Sequence, residues 1–311
     1  MTFRSGFVTL VGRPNVGKST LVNRVVGSKV AIVSDRPQTT RNQIRGVRTT
    51  PQSQMVLLDT PGIHKPRTLL GERTNERARA TLAEVDVVCV LVEASSPIGR
   101  GDRFVAELVQ QVETPKILVV NKIDLTGRGA VAEHLTIAAA ELGEFDAYVP
   151  LSARTGNGVD ALVGELESRL PEGPRYYPEG VTTDQPEMFL AAELLREQLL
   201  KMARDELPHA ITVIAEEIEP DDDEERAAEA HERDERDEGD GILRIRARIL
   251  VERESQKGIV IGRGGAVLKE AGTRARQELE ALLGTRVYLE TRVAVERDWQ
   301  RRAHALDRLG Y

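Results

Sequence analysis

Residues 12–19 read Gly12-Arg13-Pro14-Asn15-Val16-Gly17-Lys18-Ser19, a G-x-x-x-x-G-K-S pattern followed by Thr20. Its glycines permit a loop whose backbone N–H groups turn inward around phosphate; Lys18 brings a positive charge to the terminal phosphates, and the Ser19 hydroxyl is a ligand for Mg²⁺. Asp59-Thr60-Pro61-Gly62 follows 40 residues beyond Ser19, at the end of an apolar run. An aspartate there can hold Mg²⁺ through water, while the Gly62 N–H can bond a γ-phosphate and register its loss. Between the two lies Gln38-Thr39-Thr40-Arg41. A threonine in that place reaches Mg²⁺ and the γ-phosphate only while the triphosphate is present; Thr40 is the preferred ligand and Thr39 the alternative.

A third motif, Asn121-Lys122-Ile123-Asp124, ends another apolar run. The Asp124 carboxylate can accept from both the ring imino group and the exocyclic amine of guanine, which adenine does not offer. A mismatched base would leave a buried charge unpaired, so this contact selects GTP over ATP. Ser152 and Ala153 follow the next apolar run, where a backbone N–H can meet the guanine carbonyl. The residue after Gly62 is Ile63, where many GTPases place a glutamine that orients the attacking water. Isoleucine cannot do this, so slow intrinsic turnover is expected from a site that works by positioning and charge neutralisation.

Gly262-Arg263-Gly264-Gly265 satisfies G-x-x-G, a weak pattern alone. Its context strengthens it: Gly258-Ile259-Val260-Ile261 precedes it and a long amphipathic pattern follows. Such a loop lets a nucleic-acid backbone approach closely, with apolar Ile259 and Ile261 beside it to receive single-stranded bases. The five histidines lack metal-ligand spacing, and the single cysteine, Cys89, lies in an apolar run and reads as a small hydrophobe. No disulfide framework or protein metal cluster is indicated.

These residues need elements to hold them. Apolar runs at 7–12, 54–59, 85–93, 116–121 and 147–151 read as buried strands, alternating with helix patterns near 18–27, 71–83, 101–112, 129–142 and 157–170. That order predicts an α/β domain with a mostly parallel sheet covered on both faces, over 1–171. Pro171, Gly173, Pro174 and Pro178 mark a linker over 172–186. The second half reads as an α-β-β-α-α-β domain over 187–297: a helix pattern at 187–205, strands at 210–218, 242–252 and 286–295, a short apolar turn before the G-x-x-G and a helix at 266–283. A last helix is expected over 298–311.

The 311 residues carry 43 Lys plus Arg against 50 Asp plus Glu, a net charge of -7 that would argue against a nucleic-acid partner if it were evenly spread. It is not. Residues 216–240 hold 15 acidic and 3 basic side chains, whereas 241–311 hold 15 basic and 9 acidic. Composition predicts a solvated, disordered loop over 216–240 and a basic partner-binding surface after it. No apolar stretch reaches the roughly 18–20 residues that span a bilayer, and residues 1–12 lack a signal-peptide pattern, so a cytoplasmic protein is expected.

With GRPNVGKST, QTTR, DTPG, NKID and LSA in its first half, and ILVERESQKGIVIGRGG and ALDRLGY in its second, the sequence resembles the Era family of bacterial GTPases over nearly its whole length. The resemblance implies a Ras-like G domain joined to a type II KH domain. It implies a monomer that binds the 3′ region of 16S ribosomal RNA and assists 30S subunit assembly, with peripheral contact at the inner membrane face. It further implies GTP/GDP and Mg²⁺ as ligands, K⁺ held beside the nucleotide by Asn15, and a hydrophobic residue such as Ile63 after the glycine of DTPG. A tRNA-modifying GTPase is the rival enzyme reading, but that class needs extra helical domains and usually has a C-terminal cysteine, whereas this sequence ends in Leu309-Gly310-Tyr311. A protein or membrane switch whose second domain binds no RNA is the rival interaction reading.

Overall fold

The computed structural model describes residues 2–36, 39–203, 207–221 and 242–311. Gln38 and the acidic residues 222–240 therefore lie outside the described residues. Two compact units are present, one through Asp184 joined by Gly310–Tyr311, the other Gln185–Leu309.

The first unit contains β1 (Arg4–Val11), α1 (Lys18–Val26), β2 (Ile44–Thr49), β3 (Ser53–Asp59), α2 (Leu69–Leu82), β4 (Val87–Glu93), α3 (Arg100–Val109), β5 (Lys116–Asn121), α4 (Arg128–Glu141), β6 (Ala147–Pro150) and α5 (Val159–Arg169). Its sheet runs β2-β3-β1-β4-β5-β6, parallel except for β2, which pairs antiparallel with β3. The strands are apolar on both faces because both are covered. Val8, Leu10, Cys89 and Val119 join Leu21, Val22, Leu162 and Leu166 in one core; Val56, Val88, Val90 and Leu118 join Ala78, Val105, Ala106 and Ala138 in the other. The C-terminal ends of β1, β3, β5 and β6 consequently deliver Gly12, Asp59, Asn121 and Ser152 to one edge of the sheet, where open α/β sheets bind ligands.

Strand β2 was not legible in the sequence. Arg45 and Arg48 break its apolar pattern and Gly46 weakens strand propensity. Gly46 is nonetheless required, since a Cβ there would lie 2.7 Å from Val26 Cγ2. The expected linker also differs: residues through Asp184 belong to the first unit. Gln54 accepts from the Tyr176 and Tyr177 amides at 2.6 and 2.9 Å, and the Val47 amide donates to the Thr182 carbonyl at 2.8 Å.

The second unit contains α6 (Glu187–Met202), α7 (Leu207–Ala210), β7 (Thr212–Asp221), β8 (Ile242–Val251), α8 (Glu254–Ile261), α9 (Ala266–Leu283), β9 (Val287–Val295) and α10 (Ala303–Arg308). Its sheet runs β7-β8-β9, antiparallel then parallel. On β8 the buried Ile245, Ala247 and Ile249 alternate with Arg244, Arg246 and Arg248, and α9 buries Ala271, Ala275 and Leu279 at helical spacing. Trp299 is fully buried and donates Nε1–H to the Ala210 carbonyl at 3.0 Å.

Three expectations are corrected here. The apolar turn before the G-x-x-G is the helix α8, started by Gln256, whose side-chain oxygen accepts from the Glu252 and Arg253 amides at 2.9 Å. The last helix spans only Ala303–Arg308, preceded by a 3₁₀ turn at Trp299–Arg301. The acidic loop does not begin at 216: residues 216–221 continue β7, past a bulge between Ala215 and Glu217. The arginines of the neighbouring strands make this stable. Glu216 pairs with Arg248 at 2.7 Å and Arg292 at 3.0 Å, and Glu217 with Arg246. Cross-strand pairs of this kind favour strand over solvated loop.

Candidate functional site

The loop after β1 turns because Asn15 and Gly17 both adopt left-handed backbone, φ 67° and 98°. A Cβ on Gly17 would collide with Asn121 Nδ2. Gly17 caps α1, so backbone N–H groups at that helix start point outward, the arrangement that binds anions. Lys18 is buried, donating Nζ–H to the Gly12 and Arg13 carbonyls at 3.2 and 3.1 Å. Burial lowers its ammonium to about 8, opposed by the charge of Asp59. A cleft of about 280 Å³ opens beside it, lined among others by Pro14, Asn15, Ser19, Thr40, Gly62 and Lys122.

Ser19, Thr40 and Asp59 converge. Ser19 Oγ donates to Asp59 Oδ2 at 2.6 Å, Thr40 Oγ1 to the same oxygen at 3.1 Å, and the two hydroxyls lie 3.0 Å apart. Asp59 Oδ1 is buried with no hydrogen-bond partner, and burial pushes the carboxyl above its usual range against the pull of Ser19, Lys18 and Thr40. Two hydroxyls and an orphaned carboxylate oxygen form a hard, all-oxygen donor set that fits a divalent cation such as Mg²⁺. Thr39 is turned away, donating to the Arg36 carbonyl at 2.7 Å. Thr60 donates to the Leu10 carbonyl at 2.8 Å, which fixes the start of the next loop. Pro61 follows it, and Gly62 packs so closely on Pro14 that a Cβ would lie 2.8 Å from the Pro14 nitrogen. Ile63 is 1% exposed and belongs to the core, so its side chain holds that loop down rather than facing the cleft.

On the far side, Asn121 joins three loops: Nδ2 donates to the Val16 carbonyl at 2.8 Å, and Oδ1 accepts from the Lys122 and Ala153 amides at 2.8 and 3.0 Å. Asp124 accepts from Ser152 Oγ at 2.5 Å and from Arg154 Nη2 at 2.7 Å. The Ser152 bond, aided by Arg154, holds the Asp124 carboxyl below its usual range. Sequence reading missed Arg154, and it missed Glu93. Glu93 receives Lys122 Nζ at 3.0 Å and stands 3.7 Å from Arg13, whose Nε lies 3.2 Å from the buried Asp102. Arg154, Glu93 and Asp102 belong to no motif quoted above; only their neighbourhood in the fold gives them a place.

In the second unit, Gly262, Gly264 and Gly265 have φ of 75°, 61° and 80°. Gly262 is sterically required, since a Cβ would meet Val267 Cγ2 at 2.5 Å, whereas a Cβ on Gly264 or Gly265 would meet nothing within 4 Å. The outer loop is therefore open to close approach. Arg263 is exposed, Ile259 on α8 is 57% exposed, and Ile261 is half-buried. Among the described residues no group of three or more His, Cys, Asp or Glu could hold a metal ion, and no helix is long and apolar enough to cross a membrane.

Residues 7–122 match the family model described as a 50S ribosome-binding GTPase, and 228–300 match that of the KH domain. Proteins named GTPase Era from Mycobacterium sp. (strain KMS) and Mycobacterium avium (strain 104) are 47% and 48% identical, each over 99% of both chains. A crystal structure of Era in complex with MgGDPNP and nucleotides 1506–1542 of 16S ribosomal RNA has 38% identity and a TM-score of 0.91, and covers 99% of each chain. An Aquifex aeolicus Era variant bound to GDP and AlF4⁻ has a TM-score of 0.90 at the same identity and coverage. With the phosphate loop, the convergent Ser19–Thr40–Asp59 group, the Asn121–Asp124 loop and a KH unit on one chain, the protein belongs to the Era family of GTPases.

Proposed function

We propose that this GTPase is an RNA-binding switch that binds the 3′ region of 16S ribosomal RNA and assists 30S subunit assembly. The observation that carries this reading is whole-chain likeness to an Era structure holding both a GTP analogue and that RNA segment. In this chain the nucleotide loops and an open G-x-x-G loop occur together.

Gly12 to Thr20 embrace the phosphates with Lys18 as their counter-charge, and Asp59 to Gly62 close on the terminal phosphate. Asn121 fixes the base loop, Lys122 lies along the cleft, and Asp124 reads guanine with Ser152 and Ala153 at its side. Ser19 and Thr40 would hold Mg²⁺, with Asp59 behind them, and the chemistry it would supply there is neutralisation of charge developing on the phosphates. Asn15 donates to the Asp35 carbonyl at 2.7 Å, tying the phosphate loop to the segment before Thr40, and its side-chain oxygen is the donor we assign to K⁺. Turnover is slow because Ile63 offers no group to position water. Gly262 to Gly265 clamp the RNA backbone while Ile259 and Ile261 receive bases.

Cross-linking in cells followed by sequencing of the bound RNA tests the reading. Ribosomal RNA 3′ ends are expected; tRNA would favour a modifying enzyme, and no RNA would favour a protein switch. Sedimentation places the protein on 30S particles or off them, and flotation with vesicles tests the peripheral membrane contact implied by the family.

A further inference from the structure

Both oxygens of the Asp124 carboxylate are engaged by side chains of the protein, and its own backbone N–H donates to the carboxylate as well. Ser152 donates to Oδ1 and Arg154 to Oδ2. Each oxygen is thus held by one side chain, and together they set the plane in which the carboxylate meets two adjacent N–H donors on the edge of a planar base. The Asp124 side chain is 14% exposed and that of Arg154 73%, so the arginine brackets the carboxylate from the solvent side.

Arg154 is itself held. Arg24, in the last turn of α1, donates Nε–H to the Ala153 carbonyl at 3.1 Å and Nη2–H to the Arg154 carbonyl. The helix that begins with Lys18 and Ser19 is thereby tied to the loop that carries Ser152 and Arg154. Phosphate and base subsites thus share a rigid element.

We propose that Arg154, positioned by Arg24, is a specificity-determining positioning residue that fixes the plane of Asp124 for bases with two adjacent N–H donors. The inference rests on Asp124 as the base reader. Without the bracket, Oδ1 stays tied to Ser152 but Oδ2 loses its side-chain partner, and the broad terminal torsion is less restrained. A base that uses both oxygens then loses more than a base that uses one. An exposed ion pair makes small contributions, so the effect is a tuning of preference, about fivefold at most, and it shrinks in high salt.

The test compares GDP with inosine diphosphate, which lacks the exocyclic amine, by equilibrium binding to the full chain. Arg154→Ala should weaken GDP about three- to fivefold and inosine diphosphate less than twofold, and Arg154→Lys should restore GDP to within twofold of the parent. Equal losses for both nucleotides, or no change in either, would overturn the proposal. Tighter GDP binding would also overturn it, since Arg154 would then be a competitor of the base. Asp124→Asn is the control: it should shift preference to xanthosine diphosphate. If that preference does not move, the base-reading assignment fails and the bracket with it. If it moves while Arg154→Ala leaves the GDP-to-inosine ratio unchanged, the bracket alone fails.

Discussion

Ser19, at the start of α1, and Asp59, the last residue of β3, meet at 2.6 Å although 40 residues of chain separate them. The meeting is set by strand register. Parallel pairing places Asp59 beside Leu10 of β1, and the loop after β1 returns Ser19 over that point. Sheet geometry, more than either loop, thus builds the oxygen cluster.

Removing its members should loosen the metal before it loosens the fold. Ser19→Ala and Asp59→Asn are each expected to lower Mg²⁺ affinity of the nucleotide complex about 10–100-fold, read from the Mg²⁺ dependence of nucleotide release. Asp59→Asn removes a charge whose burial is unfavourable but also the counter-charge of buried Lys18, so the two effects on the thermal midpoint of the nucleotide-free protein oppose one another. Unchanged Mg²⁺ dependence in both variants would place the ion elsewhere.

Gly17→Ala should be severe. It forces an L-residue into φ 98° and drives a Cβ into the Asn121 amide that bonds the Val16 carbonyl. The backbone penalty alone is about 1–3 kcal/mol, and the collision disturbs phosphate and base loops together. Gly164→Ala, within α5 and with nothing inside 4 Å, is the contrast, expected to stabilise by about 0.5–1 kcal/mol. Thermal midpoints and GDP binding of the pair measure both; equal behaviour would remove the geometric argument.

Acid dependence follows from Asp124. Its carboxyl sits below the ordinary 3.8, first because of the Ser152 hydrogen bond. A depressed value means that the ionised form, and its acceptor bonds, are fully present above the unfolded value and are lost as pH falls through the folded one. Ser152→Ala should raise the value, so GDP affinity should fall at higher pH on titration from 6 towards 4. Superimposable normalised curves would contradict this.

How much of this was legible in the sequence depends on the range of the interaction. Gly12, Asp59 and Asn121 announce themselves because each sits where an apolar strand ends, and strand ends are visible as breaks in hydrophobic runs. Strand β2 was hidden because its partner, not its own pattern, makes it a strand. Arg24, Glu93 and Arg154 were hidden because hydrogen bonds to residues 29 to 130 positions away leave no local signature. The acidic run misled for the same reason: Glu216 and Glu217 look solvated until β8 and β9 supply their arginines.

At the G-x-x-G loop, Gly264→Asp should abolish RNA binding and leave GDP binding unaltered. A side chain at 264 enters open space, and aspartate tolerates φ 61° better than most residues, so the fold should persist. The added carboxylate repels a phosphate backbone where close approach is needed. Fluorescence of Trp299, the single tryptophan, buried in the same unit, monitors folding. RNA binding at parental strength with native fluorescence would remove the loop from the interface.

The charge of the acidic run should make it compete with RNA phosphate for the basic surface after it, and a deletion shorter than 216–240 tests this. Deleting 216–240 would take out the end of β7, including Glu216 and Glu217, and strand their arginine partners, so that variant should lose stability irrespective of RNA. Residues 222–240 still hold 11 acidic and 3 basic side chains. Asp221 and Ile242 are antiparallel partners, so an Asn-Gly turn can replace 222–241 without disturbing register. With the negative segment gone, the excess of 15 basic over 9 acidic residues in 241–311 faces phosphate without its competition. RNA affinity should rise at low salt and its salt dependence should steepen, because more counterions are released per complex. Identical affinity and salt slope in the turn variant, with Trp299 fluorescence intact, would mean that the acidic segment takes no part in RNA binding.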